Sequence, residues 1–163
     1  ALSVNSACPL CRTALTPDDL HAVQNIPQVN RKKLEETKVD ALVRLLHENY
    51  EGKFLVFSSH DASFNDISTA LTQNEIEFSR LVGSVTRINS LIDRYRNGNL
   101  RVLMLNASHY GTGLNLENTT HLVFYHKMVD ELEKQVIGRA QRSGRTKPLN
   151  VHYLCYDNEL CVE

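Results

Sequence analysis

The segment Gln135-Val136-Ile137-Gly138-Arg139-Ala140-Gln141-Arg142-Ser143-Gly144-Arg145 holds the densest chemistry in the chain. Arg139 and Arg142 are three residues apart, so on a helix they leave from one face. Two guanidiniums side by side repel unless an anion lies between them, and their planar forks match phosphate oxygens. Gly138 costs about 1 kcal/mol of helix propensity against Ala, and its missing side chain lets another backbone or a ligand come close. The plainer alternative is a solvated basic helix end, where Arg is favourable against the helix dipole. A second cluster, Cys8-Pro9-Leu10-Cys11-Arg12, spaces two thiols as a pair sharing one Zn²⁺ would be spaced. Structural zinc takes about four ligands, and no second pair follows at a suitable spacing, so Cys8 and Cys11 amount to half a site. Cys155 reads as a strand-end or core thiol.

The elements that must position these groups follow from periodicity. Val39, Leu42, Val43 and Leu46 form one face of a helix that Glu51-Gly52 ends. The nearly continuous apolar run 53–59 suits a strand buried on both faces. Residues 61–74 then read as helix, 76–82 as strand, 86–96 as helix, 97–99 as turn and 100–105 as a second buried strand. Strand 120–125, helix 129–142 and strand 149–154 complete the pattern. Strands alternating with helices predict an α/β domain, a mostly parallel central sheet covered by helices on both faces. In such sheets the working loops lie at the carboxyl ends of the strands. Here these are the ends after Val56 and after Leu105, together with the helix at Gln135. The first 36 residues differ. Thr16-Pro17-Asp18-Asp19 is a helix start, and the polar stretch 24–36, with Pro27 inside, suits a linker or an irregular docking segment.

The chain has 163 residues, 42% apolar and 23% charged, the balance of a globular domain. Eighteen Lys and Arg against 19 Asp and Glu leave a net charge of −1. Contact with nucleic acid therefore requires a local patch rather than a global field. No apolar run approaches the ~20 residues of a membrane span, so no membrane partner is expected. Four Cys without a signal-peptide pattern suggest thiols or a metal rather than disulfides. Beginning at Ala1 without Met, the chain reads as a piece of a longer protein.

Gln135-x-x-Gly138-Arg139-x-x-Arg142, continued by Ser143-Gly144-Arg145-Thr146-Lys147-Pro148, resembles the last conserved motif of superfamily-two helicases in its Swi/Snf form. Gly111-Thr112-Gly113-Leu114-Asn115-Leu116 resembles that family's fifth motif. Arg80 to Thr86, followed by Ile92-Asp93-Arg94-Tyr95, resembles its "Leu-Asp-Gly-Ser" strand-loop and next helix, and Phe54 to Ser59 its fourth-motif strand. The four occur in family order from about Thr37 to Leu154. The resemblance implies a RecA-like three-layer lobe, over residues 37–163, of an ATP-dependent DNA translocase or helicase. The family's first lobe carries the phosphate loop and the Mg²⁺-binding Asp-Glu pair. Neither Gly-x-x-x-x-Gly-Lys-Ser/Thr nor an Asp-Glu-x-His box occurs here. The chain thus resembles the second lobe only, which alone is expected to be inactive because nothing in it cradles the triphosphate or its metal.

By the same resemblance Arg142 is the arginine finger, Arg139 supports it, and Gln135 couples nucleotide state to lobe closure. Such a finger is worth ~10³–10⁵ in rate, roughly 4–7 kcal/mol of barrier. Gly111, Gly113, Asn115 and Gly138 would line the nucleotide cleft, Asn115 where many helicases place an Asp. Ser58, Ser59, Gly83, Ser84, Asn106, Ser108 and His109 would touch DNA phosphates without reading sequence. Ser108-His109-Tyr110 departs from the family's usual residues there, a departure compatible with a divergent or viral member. Cys8 and Cys11 resemble the last ligand pair of a RING finger (residues 1–15, followed by a linker over 16–36). A complete RING would add Zn²⁺ and a ubiquitin-conjugating enzyme as partner. The expected compartment is the nucleus, or the cytoplasm for a viral or bacterial member. The competing reading is a non-catalytic RecA-like adaptor lobe beside a RING ubiquitin-ligase module.

Overall fold

The computed structural model describes residues 28–31, 36–98, 100–106, 116–141 and 147–156, with residues 28–31 and Arg139 described at the backbone. In chain order the elements are β1 (Gln28–Arg31), α1 (Lys38–Glu48), β2 (Phe54–Ser58), α2 (Ser63–Gln73), β3 (Phe78–Arg80), α3 (Val85–Arg96), β4 (Val102–Asn106), β5 (His121–Phe124), α4 (Asp130–Ala140) and β6 (Asn150–Tyr153). The strands form one sheet in the order β1-β6-β5-β2-β4-β3. Every pairing is parallel. This is the RecA-like arrangement that the motif resemblance implies.

Alternation along the strands splits the core into two layers. Phe54, Val56, Val102, Met104 and Val123 pack with Ala41, Leu42 and Leu46 of α1 and Phe64, Ile67 and Leu71 of α2. The intervening Leu55, Phe57, Leu103, Leu105, Leu122 and Phe124 pack with Tyr95 of α3 and Val136 and Ala140 of α4. Strands β2 and β5 are buried along their whole length because both faces are covered.

One expectation is corrected. The stretch 16–36, read as a helical or irregular linker, contributes β1, which pairs with β6 from Gln28↔Asn150 to Arg31↔Tyr153. An edge strand is held through its backbone groups, so a polar run such as Gln-Val-Asn-Arg needs no apolar alternation to join a sheet. Strand β3 is three residues long, shorter than the run 76–82 expected.

At the amino ends of the strands, cations close the helix C-termini. The Arg101 guanidinium donates to the carbonyls of Leu46, Asn49 (2.8 Å) and Gly52 (3.3 Å), and its carbon lies 5.6 Å from the Phe54 ring centre. Lys53 donates to the carbonyl of Tyr95. Beside them His121 is stacked between Phe54 (ring centres 4.5 Å apart) and His152 (5.3 Å). Burial first, then the neighbouring His152 and Arg101, push the His121 pKa down to about 4.

Candidate nucleic-acid and nucleotide interface

A parallel sheet delivers all its strand ends to one edge. Ser58 pairs with Asn106, Arg80 with Met104 and Phe124 with Tyr153, so the carboxyl ends of β2, β3, β4, β5 and β6 line a single rim. Ser58 itself is fully buried. Its hydroxyl donates to the carbonyl of His60 (3.1 Å) and accepts from the His60 N–H (3.0 Å), holding the turn that carries half-buried Ser59. Gly83 follows β3 with φ +123°, a conformation L side chains rarely adopt, and a Cβ there would meet Arg87 Cδ at 2.8 Å. Ser84 caps α3, its hydroxyl accepting from the Arg87 N–H at 3.4 Å. Asn106 is half-buried at the end of β4.

On α4, Leu132, Val136, Ile137 and Ala140 turn toward the sheet. Gln135 and Gly138 are exposed, and nothing lies within 4 Å of a Cβ built on Gly138. At about 100° per residue, Gln135, Gly138 and the backbone position of Arg139 share an arc of about 100°, beside the buried stripe. The start of α4 has no side-chain cap from Val129. Glu133 stands in, one carboxylate oxygen accepting from the Met128 N–H (3.3 Å) and the other from the Tyr153 hydroxyl (3.0 Å). Arg142, Gly111, Gly113, Asn115, Ser108, His109, Cys8 and Cys11 lie outside the described residues. Cys155 is buried, as a core thiol should be. Among the described residues there is no group of three or more His, Cys, Asp or Glu that could hold a metal ion. Nor, among them, is any helix long and apolar enough to cross a membrane.

The structure also brings together residues that the motifs do not point to. Lys38, 4% exposed at the first turn of α1, donates from Nζ to the Tyr125 carbonyl at 2.9 Å and lies 3.4 Å from His126 Nδ1. Its ammonium sits 5.5 Å and 5.0 Å from the ring centres of Tyr125 and Tyr156. His126 Nε2 lies 2.9 Å from Ser63 Oγ, and the His60 ring stands edge-on to His126 at 4.9 Å. An ammonium only donates, so this network assigns the His126 proton to Nε2, which donates to Ser63. The one sequence signal was a Lys in a helix's first turn, where the dipole disfavours a cation.

Comparison with known proteins agrees with the architecture. The family described as the helicase conserved C-terminal domain matches residues 37–146. R592 of Acanthamoeba polyphaga mimivirus, a helicase by name, is 36% identical over 172 residues, covering 96% of this chain and 20% of that protein. The human E3 ubiquitin-protein ligase SHPRH is 30% identical over 156 residues, covering 89% of this chain and 9% of that one. The chain thus spans a fifth or less of these relatives. Among solved structures, the C-terminal part of the Fun30 ATPase domain aligns with a TM-score of 0.69 at 25% identity, over 77% of this chain and 43% of that one. The C-terminal domain of the DEAD-box protein Dbp5 shares the fold, with a TM-score of 0.65 at 22% identity over 85% of this chain and 82% of that one. The motif order, the parallel sheet and these matches lead to one conclusion: the chain belongs to the helicase conserved C-terminal domain family and has its RecA-like fold.

Proposed function

We propose that this lobe works as the second half of an ATP-dependent DNA translocase or helicase. It supplies Arg142, supported by Arg139, to a triphosphate held on a first lobe, and it grips the DNA backbone along its strand-end rim. The observation that carries the reading is the open face of α4, where Gln135 and Gly138 are exposed next to Arg139 while Val136 and Ala140 are fully buried. An amide donor beside a residue without a Cβ suits the close approach of a polyphosphate. MgATP, when bound between the lobes, supplies the γ-phosphoryl group transferred to water. The chain's own part is to orient and stabilise charge, Gln135 through its amide and the two guanidiniums through paired N–H donors. Gly111, Gly113 and Asn115 belong to the same cleft by their motif.

On the rim, Ser59, Gly83, Ser84 and Asn106, joined by Ser108 and His109, present hydroxyl, amide and backbone donors that suit phosphates of any sequence. Buried Ser58 contributes by fixing the turn at His60. Cys8 and Cys11 fit half of a RING zinc site. A complete RING would recruit a ubiquitin-conjugating enzyme, in line with the ligase named among the relatives.

The deciding experiment is Arg142→Ala in the full-length protein. DNA-stimulated ATP hydrolysis should fall by about 10³-fold or more with the melting temperature unchanged. Unchanged turnover would overturn the motor reading in favour of the adaptor lobe.

A further inference from the structure

We infer that Ser63, His126 and Lys38 are positioning residues that couple the DNA-facing loop after β2 to α4, the helix facing the nucleotide. The inference rests on the function proposed above. The loop 59–62 is tied at both ends: the Ser58 hydroxyl holds the His60 backbone, and Ser63, the first residue of α2, meets His126. His60 within the loop touches the same imidazole. Asp61 reaches Arg80 at 3.3 Å, which links the loop to the Gly83 and Ser84 turn. That ion pair is exposed and therefore weak. The His126 junction is the stiffer tie, being half-buried and backed by a buried ammonium.

Beyond His126 the path to α4 is short. Two residues on, Met128 is buried in the α4-side core, and its N–H is held by Glu133. The backbone at 126–129 therefore sets where α4 begins. Any shift of the β2–α2 loop must either break the Ser63–His126 hydrogen bond or move the start of α4. Those two states are the discrete alternatives that energetic coupling requires. Lys38 anchors the third side, since its Nζ holds the Tyr125 carbonyl and the Tyr156 hydroxyl accepts from its backbone N–H at 3.3 Å. Burying an ammonium in a helix's first turn is costly for stability alone. A geometry to be held explains its presence.

The test measures ATP turnover of the full-length protein with and without duplex DNA, for wild type, Ser63→Ala, His126→Ala, the double variant and His126→Gln. Gln presents an amide N–H in place of Nε2–H. Each alanine variant should lower the ratio of stimulated to basal turnover by about fivefold or more, the lower end of measured couplings between sites. Basal turnover and melting temperature should stay near wild type. The double variant should be no worse than either single one, and His126→Gln should recover most of the ratio. An unchanged ratio in both alanine variants overturns the inference, as does a loss of basal turnover in step with melting temperature. A wild-type protein whose turnover ignores DNA overturns the proposed function instead.

Discussion

Acid should weaken this fold through one imidazole. His121 lies 7% exposed between Phe54 and His152, with its Nδ1 3.0 Å from His152 Nε2 and a pKa pushed down to about 4. Unfolded, it titrates near 6.5. Between these values the unfolded chain binds a proton that the folded chain refuses, so stability falls as pH falls through that window. From the two pKa values, the loss between pH 7 and pH 5 is about 2 kcal/mol from His121 alone. In a domain of this size that corresponds to about 4–7 °C in melting temperature. His152, also lowered by burial, adds in the same direction. The assay is urea denaturation at pH 7, 6 and 5 for wild type and His121→Phe, which keeps a ring against Phe54 and removes the titration. The gap between the two curves should close by about 2 kcal/mol toward pH 5. A gap constant to within about 0.5 kcal/mol over that range would falsify the reasoning, because no proton would then be linked to folding at this site.

Two further perturbations read other parts of the structure. Arg101→Met keeps an unbranched apolar side chain but removes the guanidinium from the Phe54 ring and from the carbonyls of Leu46, Asn49 and Gly52; it should cost about 2–4 kcal/mol with an unchanged m-value, and a loss under about 0.5 kcal/mol would show the clamp to be idle. Gly83→Ala must hold φ +123° with a Cβ against Arg87; about 1–3 kcal/mol of strain should appear as a lower melting temperature, and an unchanged one would mean the turn relaxes freely.

Much of the fold was legible because it rests on patterns a chain cannot hide. The run Phe54–Ser58 is apolar at every position but the last, and its five-residue length after Gly52, with two Phe and a Val, suits a strand covered on both faces. The face of Leu42 and Leu46 recurs at helical spacing, and both are fully buried. The β1 strand escaped because its pairing is carried by backbone groups, which every sequence shares. Gln135 and Gly138 were singled out by their spacing, and the structure places both exposed on α4. Ser58 was also singled out by its place at a strand end, yet its hydroxyl is turned inward to the His60 backbone. A strand-end position says nothing about which way a small side chain closes its turn.

Sequence by itself determined the order of elements from α1 to β6, the family to which they belong and the helix that carries Arg139, since these follow from local periodicity and contiguous motifs. Only the tertiary structure decided the meeting of Lys38, Ser63 and His126. These positions are 25 and 63 residues apart along the chain and lie on α1, on α2 and in the loop between β5 and α4. A parallel sheet brings such ends together at one rim through crossovers, and the contacts between them are made in space rather than along the chain.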